Sequence, residues 1–397
     1  VAAMLAMVAT GANAKSATDS ATIAKNKPVF TVVKQNPITS IKDQNRSGTC
    51  WAYSTLSYFE SEILKHTGKT YDLSEMFVAN KTYMDRATMA VRMHGDVSFS
   101  QGGSAYDVLY ALQHYGIVPE GAMPAPGTLT GDSLANFGEF FDVMTPYVEA
   151  VAKSNAKKIS SAWKSGLQGI IDSYIGKTPE KFTYQGKQYT PQSFCQSLGL
   201  NLDDYVTITS YTHHPMWSKF AVEVQDNWRW PLSYNVPMDD LCKIIDNAIN
   251  NGYTVAWGGD VTEDGFTRKG LGIAYDVKKV RSMAGTDADH WFKLSKDEKK
   301  EKFDSLGVNA PEVVPTQAMR QEAFDNWETT DDHGMHIYGI AKDQNGKEYY
   351  MVKNSWGEYG DYKGTWYMTK AFVAYKTMDF MVNKNAIPKD IRKKLGI

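Results

Sequence analysis

Apolar residues recur at helical spacing in the first third of the chain. From Cys50 to about His66 they lie three or four positions apart, which predicts an amphipathic helix, and Gly68 is placed to end it. A second helix is expected after Ser74. A third is expected after Ser104, because Ser104 and Asp107 have the spacing of a capping box. This pattern predicts a helical half over residues 36–120.

The pattern changes twice in the remainder of the chain. Residues 121–204 keep helical spacing, which predicts a helical insertion. From residue 205 onwards, short runs rich in β-branched and aromatic residues predict strands. These runs are YVTITSY from Tyr205, YTVAWGGDV from Tyr253, MHIYGIA from Met335, EYYMVKN from Glu348 and GTWYMTK from Gly364. The sequence therefore predicts an α+β fold whose β-rich half spans residues 205–397.

The first 35 residues belong to neither half. Residues 1–14 combine the apolar run VAAMLAMV with Ala12-Asn13-Ala14, a pattern typical of a signal peptide remnant, and residues 15–35 read as a flexible lead-in. No later run approaches the roughly 20 apolar residues of a membrane-spanning helix. We expect a periplasmic or secreted protein without a membrane span, with the cytoplasm as the alternative location.

Composition and charge exclude several classes of function. The chain has 397 residues, a formal net charge of −2 and three cysteines. The balanced charge offers no basic surface for nucleic acid, and the cysteines are too few for a disulfide framework. The cysteine spacing is not that of a metal site, and the adjacent His213 and His214 lack a carboxylate motif such as H-E-x-x-H. We therefore expect no metal and no nucleic-acid partner.

The stretch QNRSGTCW carries the first candidate chemistry. It places Cys50 in the first turn of a predicted helix, where the helix N-terminus favours a thiolate and lowers the pKa of the thiol. Gly48 lets a substrate approach the backbone. Gln44 can direct its amide towards a developing oxyanion, in addition to the backbone N–H of Cys50. Alone, Cys50 would be read as a small buried hydrophobic residue.

A thiol nucleophile needs a base and a group that orients the base. The predicted hairpin around Asn345-Gly346 brings the start of one strand beside the end of the next, so His336 and Asn354 are expected to meet. The Asn354 carbonyl would then fix the tautomer of His336. Trp356 would shield this hydrogen bond from water.

The order and local sequences of Gln44, Cys50, His336 and Asn354 resemble the papain-like cysteine peptidases. Longer stretches resemble, more narrowly, the bleomycin hydrolase and aminopeptidase C branch of that family. These stretches are QGGSAYDVLYALQHYGIVPE from Gln101, YTHHPMWSKFAVEVQDNW from Tyr211 and FDNWETTDDHGMH from Phe324. The resemblance extends over residues 36–395, most of the chain.

The resemblance implies a papain-like fold with a helical half, a β-rich half and a cleft between them. In that family the residue matching Cys50 attacks the peptide carbonyl, His336 transfers the proton and Asn354 orients the histidine. Gln44 stabilises the oxyanion. The implied reaction is hydrolysis of peptide bonds through an acyl-thioester, with release of N-terminal residues as the first expectation. The resemblance also implies that no cofactor is required.

Further expectations follow from the same resemblance. Gly102 and Gly103 fall where the family presents a glycine pair to the substrate backbone. Asp332, with Asp331, precedes the proposed catalytic histidine and is a candidate to neutralise a substrate amine, although a solvated loop would explain both aspartates. The likeness also implies a homo-oligomer, specifically a homohexamer with inward-facing sites.

Three alternatives stay open at this point. Relatives of this branch have a C-terminal arm in the cleft that limits cleavage to the N-terminus, and this chain stops soon after Lys394. A short arm would favour endopeptidase or oligopeptidase activity. The same thioester chemistry would also allow acyl transfer to an amine. From another class, a binding or assembly protein would keep the fold without turnover.

Overall fold

The computed structural model describes residues 26–127, 134–279, 295 and 306–397. The predicted signal peptide remnant, residues 1–14, lies outside the described residues, as does most of the predicted lead-in. No helix within the described ranges has both the length and the apolar character needed to cross a membrane.

Three helices build the first half. They are α1 (Cys50–Thr67), α2 (Glu75–Arg92) and α3 (Ala105–His114). Helix α1 is buried on every side from Trp51 to Ile63, since it lies between the other helices and the sheet, so its apolar stripe describes only part of its buried surface. The predicted ends are confirmed: Gly68 ends α1 in a left-handed conformation, and Ser104 with Asp107 forms a capping box.

The segment predicted as a helical insertion is only partly helical. Its helices are α4 (Gly138–Ala152), α5 (Ala162–Ile175) and α6 (Pro191–Ser197). Between α5 and α6 the chain forms a hairpin of β2 (Phe182–Tyr184) and β3 (Lys187–Tyr189), which the sequence analysis did not predict. Gln185 and Gly186 both have positive φ at its turn, as a tight hairpin requires. Aromatic side chains of this hairpin pack against Phe194 of α6.

The second half is built on a large mixed sheet. Its strands are β1 (Thr31–Gln35), β4 (Tyr205–Thr209), β5 (Lys219–Phe220), β6 (Ser233–Asn235), β7 (Val255–Gly259), β8 (Phe266–Thr267), β9 (Leu271–Gly272), β10 (His333–Lys342), β11 (Glu348–Lys353), β12 (Thr365–Thr369) and β13 (Thr377–Asn383). The strand order is β5-β6-β4-β13-β7-β10-β11-β12-β9-β8, with β1 paired to β10. All five predicted strand runs are confirmed, and the α+β fold class with them.

Helices α7 (Met238–Asn250), α8 (Gln317–Asp325), α9 (Lys370–Lys376) and α10 (Lys389–Leu395) accompany this sheet. Ile397, after α10, packs against the apolar core of this half. The predicted flexible lead-in is wrong for Thr31–Gln35, because these residues pair antiparallel with the end of β10. Strand β10 is thereby held by β1, β7 and β11, and its first residues meet α1 at the boundary between the halves.

Candidate active site

A cleft of about 170 Å³ lies at the boundary between the two halves. Cys50 and Trp51 at the start of α1 line one wall, and His333 and Gly334 at the start of β10 line the opposite wall. Gly334 lets these walls approach, since a methyl group there would lie 2.7 Å from Ser54 Oγ and 3.4 Å from the Cys50 carbonyl oxygen. The cleft therefore brings together residues far apart in sequence.

Cys50 is partly exposed as a residue, but its thiol is buried and makes no disulfide, and Cys195 and Cys242 are free as well. Burial is the main cause that raises the pKa of Cys50 to about 11, and the carboxylates of Asp331 and Asp226 add to it. Backbone N–H groups of Gly334 and Trp51 act in the opposite direction. The lowering of the pKa expected from the helix N-terminus is thus outweighed by burial and nearby negative charge.

His333 is the histidine that contacts Asn354. Its Nε2 lies 2.8 Å from Asn354 Oδ1, and the imidazole ring packs on Trp356 with 4.9 Å between ring centroids. When Nε2 donates its proton to this carbonyl oxygen, Nδ1 is left without a proton and is able to accept one. Burial lowers the pKa of His333 to about 4, although the bond to Asn354 favours the charged ring. The residue is thus held as a neutral base, shielded by the tryptophan.

The predicted pairing of His336 with Asn354 is wrong. Near the hairpin turn the strands pair Lys342 with Glu348 and Gly339 with Met351, and continuing this register would place His336 opposite Asn354. A β-bulge between Ile337 and Gly339 shifts the register by one residue, so that His336 lies opposite Lys353 instead. A shift of one residue exchanges the faces of a strand.

His336 is consequently a core residue. It is completely buried, its Nδ1 lies 2.9 Å from Ser57 Oγ, and its ring meets the edge of Tyr58. Burial lowers its pKa well below the usual range, and the Lys353 ammonium adds to this. Sequence signals separate the two histidines: His336 stands between Met335 and Ile337 in an apolar run, whereas His333 precedes a glycine at a strand end.

Gln44 lies behind the cleft wall, and it is not one of the residues that line the cleft. Its Nε2 donates to the Ser47 carbonyl oxygen over 2.7 Å, and its Oε1 accepts from Ser355 Oγ over 2.6 Å. The side chain thus ties the loop before Cys50 to the residue after Asn354. Its role at an oxyanion stays a prediction.

Gly102 and Gly103 line the cleft beside α1, just before α3. A side chain on Gly103 would collide with the Trp51 ring, and one on Gly102 would overlap Asp226. Arg86 of α2 fixes this arrangement from behind. It is completely buried and donates to the carbonyl oxygens of Ser98 and Gly102 over 2.9 and 2.6 Å, and to Asp226 Oδ1 over 3.0 Å.

Among the described residues that line the cleft, four carry a carboxylate and none is a lysine or an arginine. They are Asp226, Asp331, Asp332 and Asp379. Burial raises the pKa of Asp331 well above the usual range, and Asp226, Asp379 and Asp332 repel its charge further. Burial also raises the pKa of Asp379 to about 6. Asp331 and Asp332 are expected from the sequence, whereas Asp226 and Asp379 are not, because they reach the cleft from a distant loop and from β13.

Taken together, the two-half fold and a cleft lined by both a free thiol and a neutral imidazole define a thiol-dependent hydrolase. A family profile described as papain family cysteine protease matches residues 28–217, and one described as peptidase C1-like family matches residues 311–396. The chain belongs to the papain-like cysteine peptidases.

Relatives that match most of this chain include aminopeptidases and bleomycin hydrolases. Aminopeptidase G of Lactobacillus delbrueckii subsp. lactis is 23% identical over 91% of this chain and 84% of that protein. Bleomycin hydrolase of Homo sapiens is 22% identical over 94% of this chain and 86% of that protein. The crystal structure of pepw from Lactobacillus rhamnosis has a TM-score of 0.67 at 19% identity and covers 98% of this chain and 92% of its own. This last likeness shows the fold.

Proposed function

We propose that this cysteine peptidase is an aminopeptidase in which Cys50 is the nucleophile and His333 is the base. Cys50 Sγ attacks the carbonyl carbon of the first peptide bond while His333 takes the thiol proton and passes it to the leaving amine. A thioester on Cys50 results. Water then attacks this thioester with its proton going to His333, which releases the N-terminal residue and restores the thiol. Asn354 keeps the imidazole oriented throughout.

The electrostatics of the pair support general-base catalysis. Burial raises the pKa of Cys50 and lowers that of His333, so that neither the thiolate nor the imidazolium is favourable alone. Transfer of the proton from one to the other creates both charges together, and their attraction in the cleft offsets much of the cost. The thiolate therefore forms only when a neutral His333 faces it.

The acidic lining of the cleft is the observation that carries the aminopeptidase proposal. Carboxylates within reach of Cys50 offer a site for the α-ammonium group of a substrate, next to the first peptide bond. Asp331 and Asp226 raise the pKa of the thiol, so a bound ammonium that neutralises them also removes part of the obstacle to thiolate formation. The names of the relatives, which are aminopeptidases, agree with this reading.

Blocking the substrate amine tests the proposal. We expect N-acetylation of a peptide to lower kcat/KM by about 30-fold or more, because removing one partner of a buried charge pair costs roughly 2–5 kcal/mol. The measurement compares free and acetylated forms of the same peptide and identifies the first product by mass spectrometry.

The control is a peptide with its C-terminus amidated, which should be cleaved as fast as the free acid. Equal rates for free and acetylated peptides would remove the aminopeptidase assignment. If cleavage then falls beside lysine or arginine inside the peptide, the acidic cleft binds side chains and the chain is an endopeptidase.

The pH dependence of KM gives a second test. Burial raises the pKa of Asp379 and of Asp332 to about 6, Asp260 contributing to the latter, so both carry charge at pH 7.5 and lose it as the pH falls through 6. We expect KM for a free-amine peptide to rise roughly tenfold at pH 5, where a group with a pKa of about 6 is mostly protonated. The variant Asp379→Asn should have a high KM already at pH 7.5 and a flatter profile.

Two other possible causes of a pH-dependent KM, protonation of His333 and loss of fold stability, can be distinguished from charge loss in the cleft. His333 has its pKa lowered to about 4, so it stays neutral over most of this range. Raised carboxylate pKa values mean that the folded state binds protons more readily than the unfolded chain, so these groups stabilise the fold as the pH falls. An unchanged KM from pH 7.5 to 5 would contradict a role for these carboxylates in amine binding.

Assembly and location extend the proposal beyond the cleft. The homohexamer rests on the resemblance to the bleomycin hydrolase branch, and the half-exposed Trp230 and Leu232 are the kind of apolar surface that such contacts use. Export to the periplasm or medium rests on the pattern of residues 1–14 alone. Both stay predictions.

A further inference from the structure

Two adjacent histidines and a glutamate converge outside the catalytic cleft. The Nε2 atoms of His213 and His214 each lie 2.9 Å from one oxygen of the Glu223 carboxylate. The three ligand-type atoms fall within 4.8 Å of one another, the only such group of three His, Cys, Asp or Glu side chains among the residues that the structure describes. The sequence analysis rejected these histidines because no carboxylate stood at a motif spacing; the fold supplies Glu223 from the loop after β5.

Both imidazole rings are fixed by aromatic neighbours. His214 stacks on Phe220 with 4.2 Å between centroids, and His213 meets the edge of the same ring at 5.3 Å. On its other side His213 lies parallel to Phe324 of α8. The ring positions therefore do not depend on Glu223 alone, which is what a preformed ligand set requires.

The backbone that carries the histidines is also fixed. Asn235 is completely buried, and its Nδ2 donates to the carbonyl oxygens of Tyr211 and His214 over 2.8 and 3.0 Å. The Gln321 side chain contacts His213 Nδ1, the nitrogen that faces away from the glutamate. A partner on the second ring nitrogen is the usual way in which proteins orient a metal-binding histidine.

We propose that His213, His214 and Glu223 form a binding site for a divalent transition-metal ion of the Zn²⁺ type. Two imidazole nitrogens and one carboxylate are a common zinc ligand set, whereas Ca²⁺ and Mg²⁺ prefer oxygen ligands alone. The three side chains are about one third to one half exposed, which leaves the remaining coordination positions to water. Binding through the two Nε2 atoms requires the neutral tautomer of each imidazole that carries its proton on Nδ1, so each Nε2 proton is exchanged through solvent for one on Nδ1. In His213 that Nδ1 proton can be donated to Gln321 Oε1.

The position of Glu223 means that a bound ion would affect the wall of the catalytic cleft. Val222 and Val224 on either side of it line the catalytic cleft, and Asp226 follows in the same loop. A metal ion would tie this loop to the segment around His213, and hence fix the cleft wall that holds Asp226. The site is distinct from the Cys50 and His333 pair and does not depend on the proposed aminopeptidase activity.

The experiment measures Zn²⁺ binding by isothermal titration calorimetry to the full chain carrying Cys50→Ser, after removal of metal with a chelator. Without the thiol, binding at the catalytic pair is suppressed. We expect one equivalent to bind at pH 7.5 and to raise Tm. Glu223→Gln and His214→Gln should each weaken binding by at least about 100-fold, since even loss of an outer-shell partner costs 10–100-fold. His114→Gln, at an exposed histidine of α3, is the matched control and should bind as before.

The absorption spectrum of the Co²⁺-loaded protein reports the metal ligands directly, so it tests the proposal even if a ligand variant fails to fold. Co²⁺ bound to the unaltered ligands in the Cys50→Ser chain should give visible ligand-field bands without a thiolate charge-transfer band. Absence of tight binding, affinity unchanged in Glu223→Gln, or a sulfur charge-transfer band from Cys195 or Cys242 would overturn the proposal. The cluster would then be a hydrogen-bonded pair of histidines on one glutamate.

Discussion

Alanine in place of His333 should lower kcat/KM by about 10²–10⁴-fold, the contribution typical of a positioned general base. The loss should fall mainly on kcat, because the imidazole acts on the proton rather than on substrate binding. Steady-state kinetics on an unblocked dipeptide measures it, with Cys50→Ala setting the background. In the His333→Ala variant, alkylation of the Cys50 thiol should also slow strongly, since His333 is the group that removes the proton of this thiol.

His336 supplies the matched comparison. His336→Leu removes a histidine of the same strand that is completely buried and contacts Ser57. We expect its kcat/KM to stay within about tenfold of the parent, because the ring has no access to the cleft, while Tm reports any change in packing. Loss of activity in a folded His336→Leu variant with retention in His333→Ala would reverse the assignment.

Replacing Arg86 by methionine should lower the free energy of unfolding by about 2–4 kcal/mol, because several acceptors lose their donor while Asp226, a quarter exposed, keeps access to water. The guanidinium is completely buried and satisfies carbonyl oxygens of Ser98 and Gly102 as well as Asp226. Methionine fills similar space but leaves these acceptors unpaired. Urea unfolding followed by fluorescence measures the loss.

A double-mutant cycle with Asp226→Asn isolates the ion pair. We expect the double variant Arg86→Met/Asp226→Asn to be less destabilised than the sum of the single variants, by about 1–3 kcal/mol. Strict additivity would show that Arg86 stabilises the fold only through the carbonyl oxygens. Both single variants should raise KM for a free-amine peptide, because the wall formed by Gly102 and Asp226 loosens.

Much of the fold follows from local sequence patterns. The start of α1 at Cys50, its end at Gly68 and the strand runs of the second half follow from spacing and residue type, which is why they were predictable. The hairpin at Phe182–Tyr189 was missed because its strands are three residues long, too short for an alternating pattern to stand out.

The sequence predicts which strands form the site but not the register in which β10 pairs with β11. The sequence identifies the strand that carries the base and the hairpin that returns Asn354, but a one-residue bulge between Ile337 and Gly339 decides which histidine meets the asparagine. Gly339 is the residue of the run that stands at this bulge, and a methyl group there would lie 2.8 Å from the Lys34 carbonyl oxygen of β1. A glycine inside a strand pattern signals a bulge or a close backbone approach, but it does not say in which direction the register shifts. Likewise, the carboxylates of the cleft come together from three separate segments, so their proximity is a property of the tertiary structure.

The pairing of β1 with the far end of β10 has a consequence for the folding of the enzyme during its synthesis. A chain emerging from the ribosome presents Thr31–Gln35 and Cys50 early, but it lacks their partners until residues beyond 330 have been made. Contacts of such large sequence separation form late and slowly. The thiol therefore exists for most of synthesis without its base, and proteolytic competence arrives together with completion of the central strand.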